Sequence, residues 1–119
     1  MLQQPDGSNP VAEFKRKIES DATWQYTLEE LAEQVHYNRD YLRREFQKSY
    51  QISPHEYRTK KRLQDIVNLL TNTSLSIKEI AFQLGMKNAS HLNIILKRRF
   101  NVTPNQIRKQ AQSAARENI

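Results

Sequence analysis

The chain has no cysteine, two glycines, four prolines and one tryptophan among its 119 residues. Without cysteine there is neither a disulfide framework nor a thiolate metal site, and a reducing compartment suits it. Gly7 and Gly85 alone cannot build a glycine-rich phosphate cradle. No apolar run approaches the ~20 residues that span a bilayer, and the amino terminus lacks the apolar core of a signal peptide. The expectation is a soluble, cytoplasmic protein with no membrane partner. His36, His55 and His91 have no companion at metal-ligand spacing, and no nucleophile–base or carboxylate pair stands out. Metal, cofactor and enzymatic activity are therefore not expected.

What is present in excess is positive charge, and it is segregated. The formal net charge is +6. Residues 1–42 carry four basic and eight acidic side chains, a net of −4, whereas residues 43–62 carry seven basic and two acidic, a net of +5. Residues 87–119 add seven basic against one acidic, a net of +6. Two separated basic blocks suit two contacts with one polyanionic partner such as nucleic acid.

Each block contains one copy of a repeated stretch: YQISPHEYR at residues 50–58 and FNVTPNQIR at residues 100–108. Position by position the two agree in chemistry, and internal repetition organises everything around it. Residues 1–10 are polar with two prolines and a glycine, and read as a flexible lead-in. Val11, Phe14 and Ile18 then recur at helical spacing in a helix that Pro10 opens and that ends before Trp24, which is read as packing between this helix and the lobe that follows.

Thr27-Leu28-Glu29-Glu30 and Ser76-Ile77-Lys78-Glu79 are capping boxes, in which the hydroxyl accepts from a backbone N–H three residues on and the carboxylate reaches back. The first opens a short helix from Leu28 to about Val35. Asn38 caps a second from Arg39 to about Tyr50, with Leu42 and Phe46 inward and the arginines outward. Ser53-Pro54 opens the longest helix, which runs to about Thr71, roughly 18 residues or ~27 Å. The second box opens a helix ended by Gly85, Asn88 caps the next with Leu92 and Leu96 inside, and Thr103-Pro104 opens a last helix that fades into a polar tail.

Thr27–Val35 aligns with Ser76–Leu84 at an offset of 49, and Leu42, Phe46 and Pro54 align with Leu92, Leu96 and Pro104 at an offset of 50. One extra residue therefore sits in the second turn. The predicted fold is all-α: about seven helices in two helix-turn-helix subdomains, residues 11–71 with the connecting helix and residues 72–110, followed by a polar tail at 111–119.

The pattern resembles the AraC/XylS family of bacterial transcription regulators over residues 11–110. The resemblance is carried by Leu31-Ala32, Leu42, Phe46, Ser53-Pro54, Tyr57, Arg62, Leu69-Leu70, Ile77, Ile80-Ala81, Gly85, Leu92, Thr103-Pro104 and Arg108. The chain departs from it with Gln51 and Asn101 where the family usually has glycine, and with Met86, Leu92 and Leu96 where aromatics are favoured. Met and Leu fill such positions with altered packing rather than a different fold.

The resemblance implies double-stranded DNA as partner, with the second helix of each unit in the major groove and RNA polymerase as a further candidate partner. It places base contacts on Asp40, Arg43 and Arg44 in the first unit and on Ala89, Ser90, Asn93 and Ile94 in the second. Arginine suits guanine and Asp40 suits a cytosine amino group, whereas Asn93 and Ile94 are weaker readers by type. Asn38, Arg39, Lys48, Lys87, Asn88, Lys97 and Arg98 are the phosphate candidates.

Two simpler readings stand beside these. The arginines of the first recognition helix can form surface ion pairs with Asp40 and Glu45. The backbone N–H groups after Ser53 and Thr103 can also hold phosphate oxygens, but capping alone is the simpler role of these two residues. The rival function is a helical adaptor that binds protein through Ile94-Ile95 or the basic faces. No room remains for an effector pocket of ordinary size, so a sensor domain is expected outside this chain.

Overall fold

The computed structural model describes residues 9–117, so most of the lead-in lies outside the described residues. Seven helices are present among them: α1 (Pro10–Ser20), α2 (Leu28–Val35), α3 (Arg39–Tyr50), α4 (Pro54–Asn72), α5 (Ile77–Gln83), α6 (Ala89–Phe100) and α7 (Pro104–Glu117). The fold is all-α and tandem, with α4 running unbroken from one unit into the other. The division into compact units falls inside α4, between Lys61 and Arg62, and not at the end of that helix.

Local side chains set the helix starts. Asn9, ahead of Pro10, accepts from the Ala12 N–H at 2.8 Å. Thr27–Glu30 and Ser76–Glu79 are complete capping boxes, and Thr103 forms a third with Gln106, at 2.8 and 3.1 Å. Ser53 accepts from the Glu56 N–H at 3.1 Å. The end of α5 is a Schellman turn: Gly85 takes φ 71°, its N–H donates to the Phe82 carbonyl, and the Met86 N–H donates to that of Ala81. The last helix differs from expectation, since it continues through most of the polar tail to Glu117. Ala111, Ala114 and Ala115 among glutamines and arginine are strong helix formers, so propensity carries the helix where an apolar stripe would not.

Each unit has its own core. In the first, Val11, Phe14 and Ile18 of α1 pack against Leu31, Ala32 and Val35 of α2 and against Leu42 and Phe46 of α3. In the second, Leu63, Ile66 and Leu70 of α4 meet Ile80, Ala81, Leu84, Leu92 and Leu96. The correspondence is residue for residue, with the α1 trio repeated in α4 at an offset of 52. Met86, Leu92 and Leu96 are all buried, so the expected replacement of aromatic volume is realised. Met86 uses the extra residue of the second turn to enter this core.

Two arginines of α4 are inside. Arg58 donates to the Asp21 carboxylate at 2.7 Å and to the Tyr26 carbonyl at 2.6 Å, and its guanidinium lies over the Trp24 ring, 4.6 Å from the centroid. Asp21 also accepts from the Gln25 and Tyr26 N–H groups, both at 2.9 Å. Arg108, the same position of the repeat, donates to the Leu70 and Thr73 carbonyls at 3.1 and 3.3 Å. In each unit the repeated arginine thus ties the next helix to the loop that leads into the helix-turn-helix. Arg62 donates to the Leu84 carbonyl at 2.7 Å and holds the last turn of α5.

Candidate nucleic-acid interface

Helical phase separates core from surface on α3. Leu42 and Phe46 have no solvent exposure. Asp40, Arg43, Arg44 and Gln47 follow i, i+3, i+4, i+7 spacing on the opposite face, and all four are exposed. Arg43 approaches Asp40 only at 4.0 Å, and Arg44 forms no ion pair among the described residues. Of the ion pairs that the simpler reading names, Arg43–Asp40 is present at this long separation, and no arginine of α3 pairs with Glu45 among the described residues. Arg39 pairs with Glu29 of α2 at 2.9 Å and Lys48 with Glu45 at 3.4 Å, and both cations are more than half exposed. Exposed pairs of this kind contribute only ~0–1 kcal/mol, so an arriving phosphate can displace them.

The α6 surface has the same layout with different chemistry. Leu92 and Leu96 are fully buried, and Ser90, Asn93 and Ile94 occupy the places of Asp40, Arg43 and Arg44. All three are exposed, Ile94 by 52%. Ala89 stands where the first unit has Arg39 and is half-buried. Lys97 and Arg98 are exposed in the last turns, and Lys87 is exposed in the turn before the helix.

Asn38 and Asn88 cap α3 and α6, each accepting at 3.0 Å from the N–H three residues on. The Ser53 and Thr103 hydroxyls likewise accept from their own helices, at 3.1 Å each. Capping accounts for both hydroxyls.

The two units also repeat a cleft. In the second it measures about 610 Å³ and is lined by Ile77, Ala89, Asn93, Ile94, Lys97 and the Val102–Asn105 turn. In the first the equivalent residues Leu28, Arg39, Arg43, Ser53, Pro54 and His55, with Phe14, enclose only about 70 Å³. Two arginines stand where the second unit has Ala89 and Asn93. The same backbone therefore presents a cationic wall in one copy and an open, largely apolar bay in the other.

The sequence placed Arg62 and Arg108 in the family pattern but assigned no arginine to the interior. A signal was available for one pair: Arg58 and Arg108 are identical across the repeat while most of their neighbours vary.

Two three-helix units, each carrying a helix-turn-helix whose exposed second helix follows a capped turn, define a tandem helix-turn-helix protein. Residues 31–110 match the family model described as "Helix-turn-helix domain". The chain is 33% identical over 91 residues to YdiP, an uncharacterised transcriptional regulator of Escherichia coli, covering 76% of this chain and 30% of that protein. The C-terminal domain of AraT, a response regulator from Geobacillus stearothermophilus, superposes with a TM-score of 0.78 at 30% identity over 87% of this chain and 86% of that one. The DNA-binding domain of AdpA, solved with a target DNA, shares the fold with a TM-score of 0.79 at 21% identity over 90% and 96% of the two chains. The chain belongs to the AraC-type helix-turn-helix family of transcription-regulator DNA-binding domains. It spans 30%, 11% and 29% of the length of three of the curated relatives it matches.

Proposed function

We propose that this chain binds double-stranded DNA sequence-specifically by placing α3 and α6 in successive major grooves, and that it does so as the DNA-reading part of a longer, cytoplasmic regulator of transcription. The observation that carries this is the outer face of α3. Asp40, Arg43 and Arg44 project opposite a sealed core, and Arg44 is left without an ion pair among the described residues. An arginine so placed can bond guanine O6 and N7 in bidentate fashion, and Asp40 can accept from a cytosine amino group.

Arg39, Lys48 and the N–H groups at Asn38 supply phosphate contacts beside them, and Lys87, Asn88, Lys97 and Arg98 do so in the second unit. There Ser90, Asn93 and Ile94, with Ala89, face the bases. The first unit supplies most of the sequence discrimination, because the second carries fewer strong readers. RNA polymerase is the expected protein partner, and effector sensing belongs to a domain outside this chain. An adaptor that ignores base sequence has less support, since the chain belongs to a family of transcription-regulator DNA-binding domains.

Selection from a random duplex pool, with footprinting of the winner, tests the reading. A specific binder enriches one site over competitor by ~10³ or more, and Arg43→Ala or Arg44→Ala costs about 1–3 kcal/mol on that site. No enrichment would leave the adaptor standing.

A further inference from the structure

On the surface of the first unit, Tyr37 and Tyr41 stack with ring centroids 5.7 Å apart and planes at 26°. They are 44% and 37% exposed, and neither hydroxyl has a hydrogen-bond partner among the described residues. Tyr57, by contrast, donates its hydroxyl to Glu19. We propose that Tyr37 and Tyr41 grip the DNA backbone along one flank of α3, each hydroxyl donating to a phosphate oxygen, and thereby set the register at which Asp40, Arg43 and Arg44 meet the bases.

This rests on reading α3 as the recognition helix. Position on the helix supports it. At about 100° per residue, Tyr41 lies roughly 60° round from Arg44 and within about 20° of Lys48. The three form one flank running from base-facing centre to backbone-facing edge, with cations to draw the polyanion in. Arg39 lies on the other flank. Tyrosine suits such a place because its hydroxyl bonds phosphate without carrying sequence information. The pair is also pre-ordered: the rings brace each other, and the Tyr41 N–H is held by the Asn38 cap at 3.0 Å.

The duplication shows that the fold does not need this pair. Counted from the end of the preceding helix, Tyr37 corresponds to buried Met86; counted back from the capping asparagine, it corresponds to exposed Lys87. Tyr41 corresponds to exposed His91. The second unit builds the same turn with one side chain in the core and a cation at the surface. The first unit puts an aromatic pair at that surface instead.

The test uses Tyr37→Phe and Tyr41→Phe in the full chain, with affinity measured for the selected duplex and an unrelated one over a range of salt. Each hydroxyl lost is expected to weaken both duplexes by the same factor, roughly 3- to 10-fold. The thermal midpoint and the salt slope should stay unchanged, because no cation is removed. Lys48→Ala serves as contrast and should reduce the slope by about 1. Phe variants that bind both duplexes like the parent would overturn the proposal and leave a structural stack. So would a loss confined to the selected duplex, which would make the tyrosines base contacts. If Arg43→Ala and Arg44→Ala fail to discriminate the two duplexes, the assignment of α3 itself is wrong, whatever the tyrosines do.

Discussion

At the scale of single residues, the ends of the helices carry a cost. His36, Gln51 and Asn101 close α2, α3 and α6 at φ 67°, 62° and 57°, where a side chain crowds the backbone. His36 stands in the place of Gly85, and Gln51 in that of Asn101, so the turn imposes the geometry and the residue accepts it. The Gln51 side chain recovers part of the cost by donating to the Lys48 carbonyl at 2.9 Å. His36→Gly and Gln51→Gly should each stabilise the chain by about 1 kcal/mol, read as a shift in urea midpoint; Asn101→Gly should gain less, because asparagine tolerates this region.

The Arg58–Asp21 pair belongs to the same scale, with both side chains only 6% exposed. Burial pulls the Arg58 pKa below its usual value while Asp21 opposes the shift. Asp21→Ala strands that cation in the interior and removes the acceptor for two backbone N–H groups. A loss of about 3–5 kcal/mol is expected in the same unfolding measurement.

At the scale of elements, α1 is braced to α4 through Lys15, Glu19 and Tyr57. Lys15 bonds Glu19 at 2.7 Å and lies 5.3 Å from the Tyr57 ring centroid. Hydrogen bonding to Lys15, then to Tyr57, holds the Glu19 carboxyl below the usual carboxylate value, and the Ser76 N–H does the same for Glu79. For a carboxylate depressed on folding, the stabilisation is complete above its unfolded pKa of ~4.3 and is lost as pH falls through the lower folded value. Stability should therefore decline in that acid window, and Glu19→Gln should flatten the decline in a pH series of unfolding curves. Lys15, raised by Glu19, has the opposite sign and loses its contribution only as the solution becomes strongly alkaline. Helix starts such as Thr27, Asn38 and Ser76 were legible because a cap lies within three residues of its partner. The extent of α7 was not, because its polar composition hides the helix propensity of its alanines.

At the scale of the whole molecule, one three-helix design occurs twice with the same buried positions and different exposed ones. The first copy shows arginine, aspartate and tyrosine, and the second shows serine, asparagine and isoleucine. Base substitutions under the first unit should accordingly cost about 1–3 kcal/mol each, and those under the second less, as measured by competition titration across the selected site. Larger penalties under the second unit would reverse the assignment.

Sequence alone determined the helical class, the duplication and which face of α3 would be exposed, since periodicity, caps and repeat spacing act within a few residues of the chain. Only the tertiary structure decided that Arg58 and Arg62 lie inside, that Tyr37 stacks on Tyr41, and that the cleft filled in one unit is open in the other. The physical reason is range. Arg58 is buried because Asp21, 37 residues away, reaches it at 2.7 Å, and no local pattern around an arginine records so distant a partner.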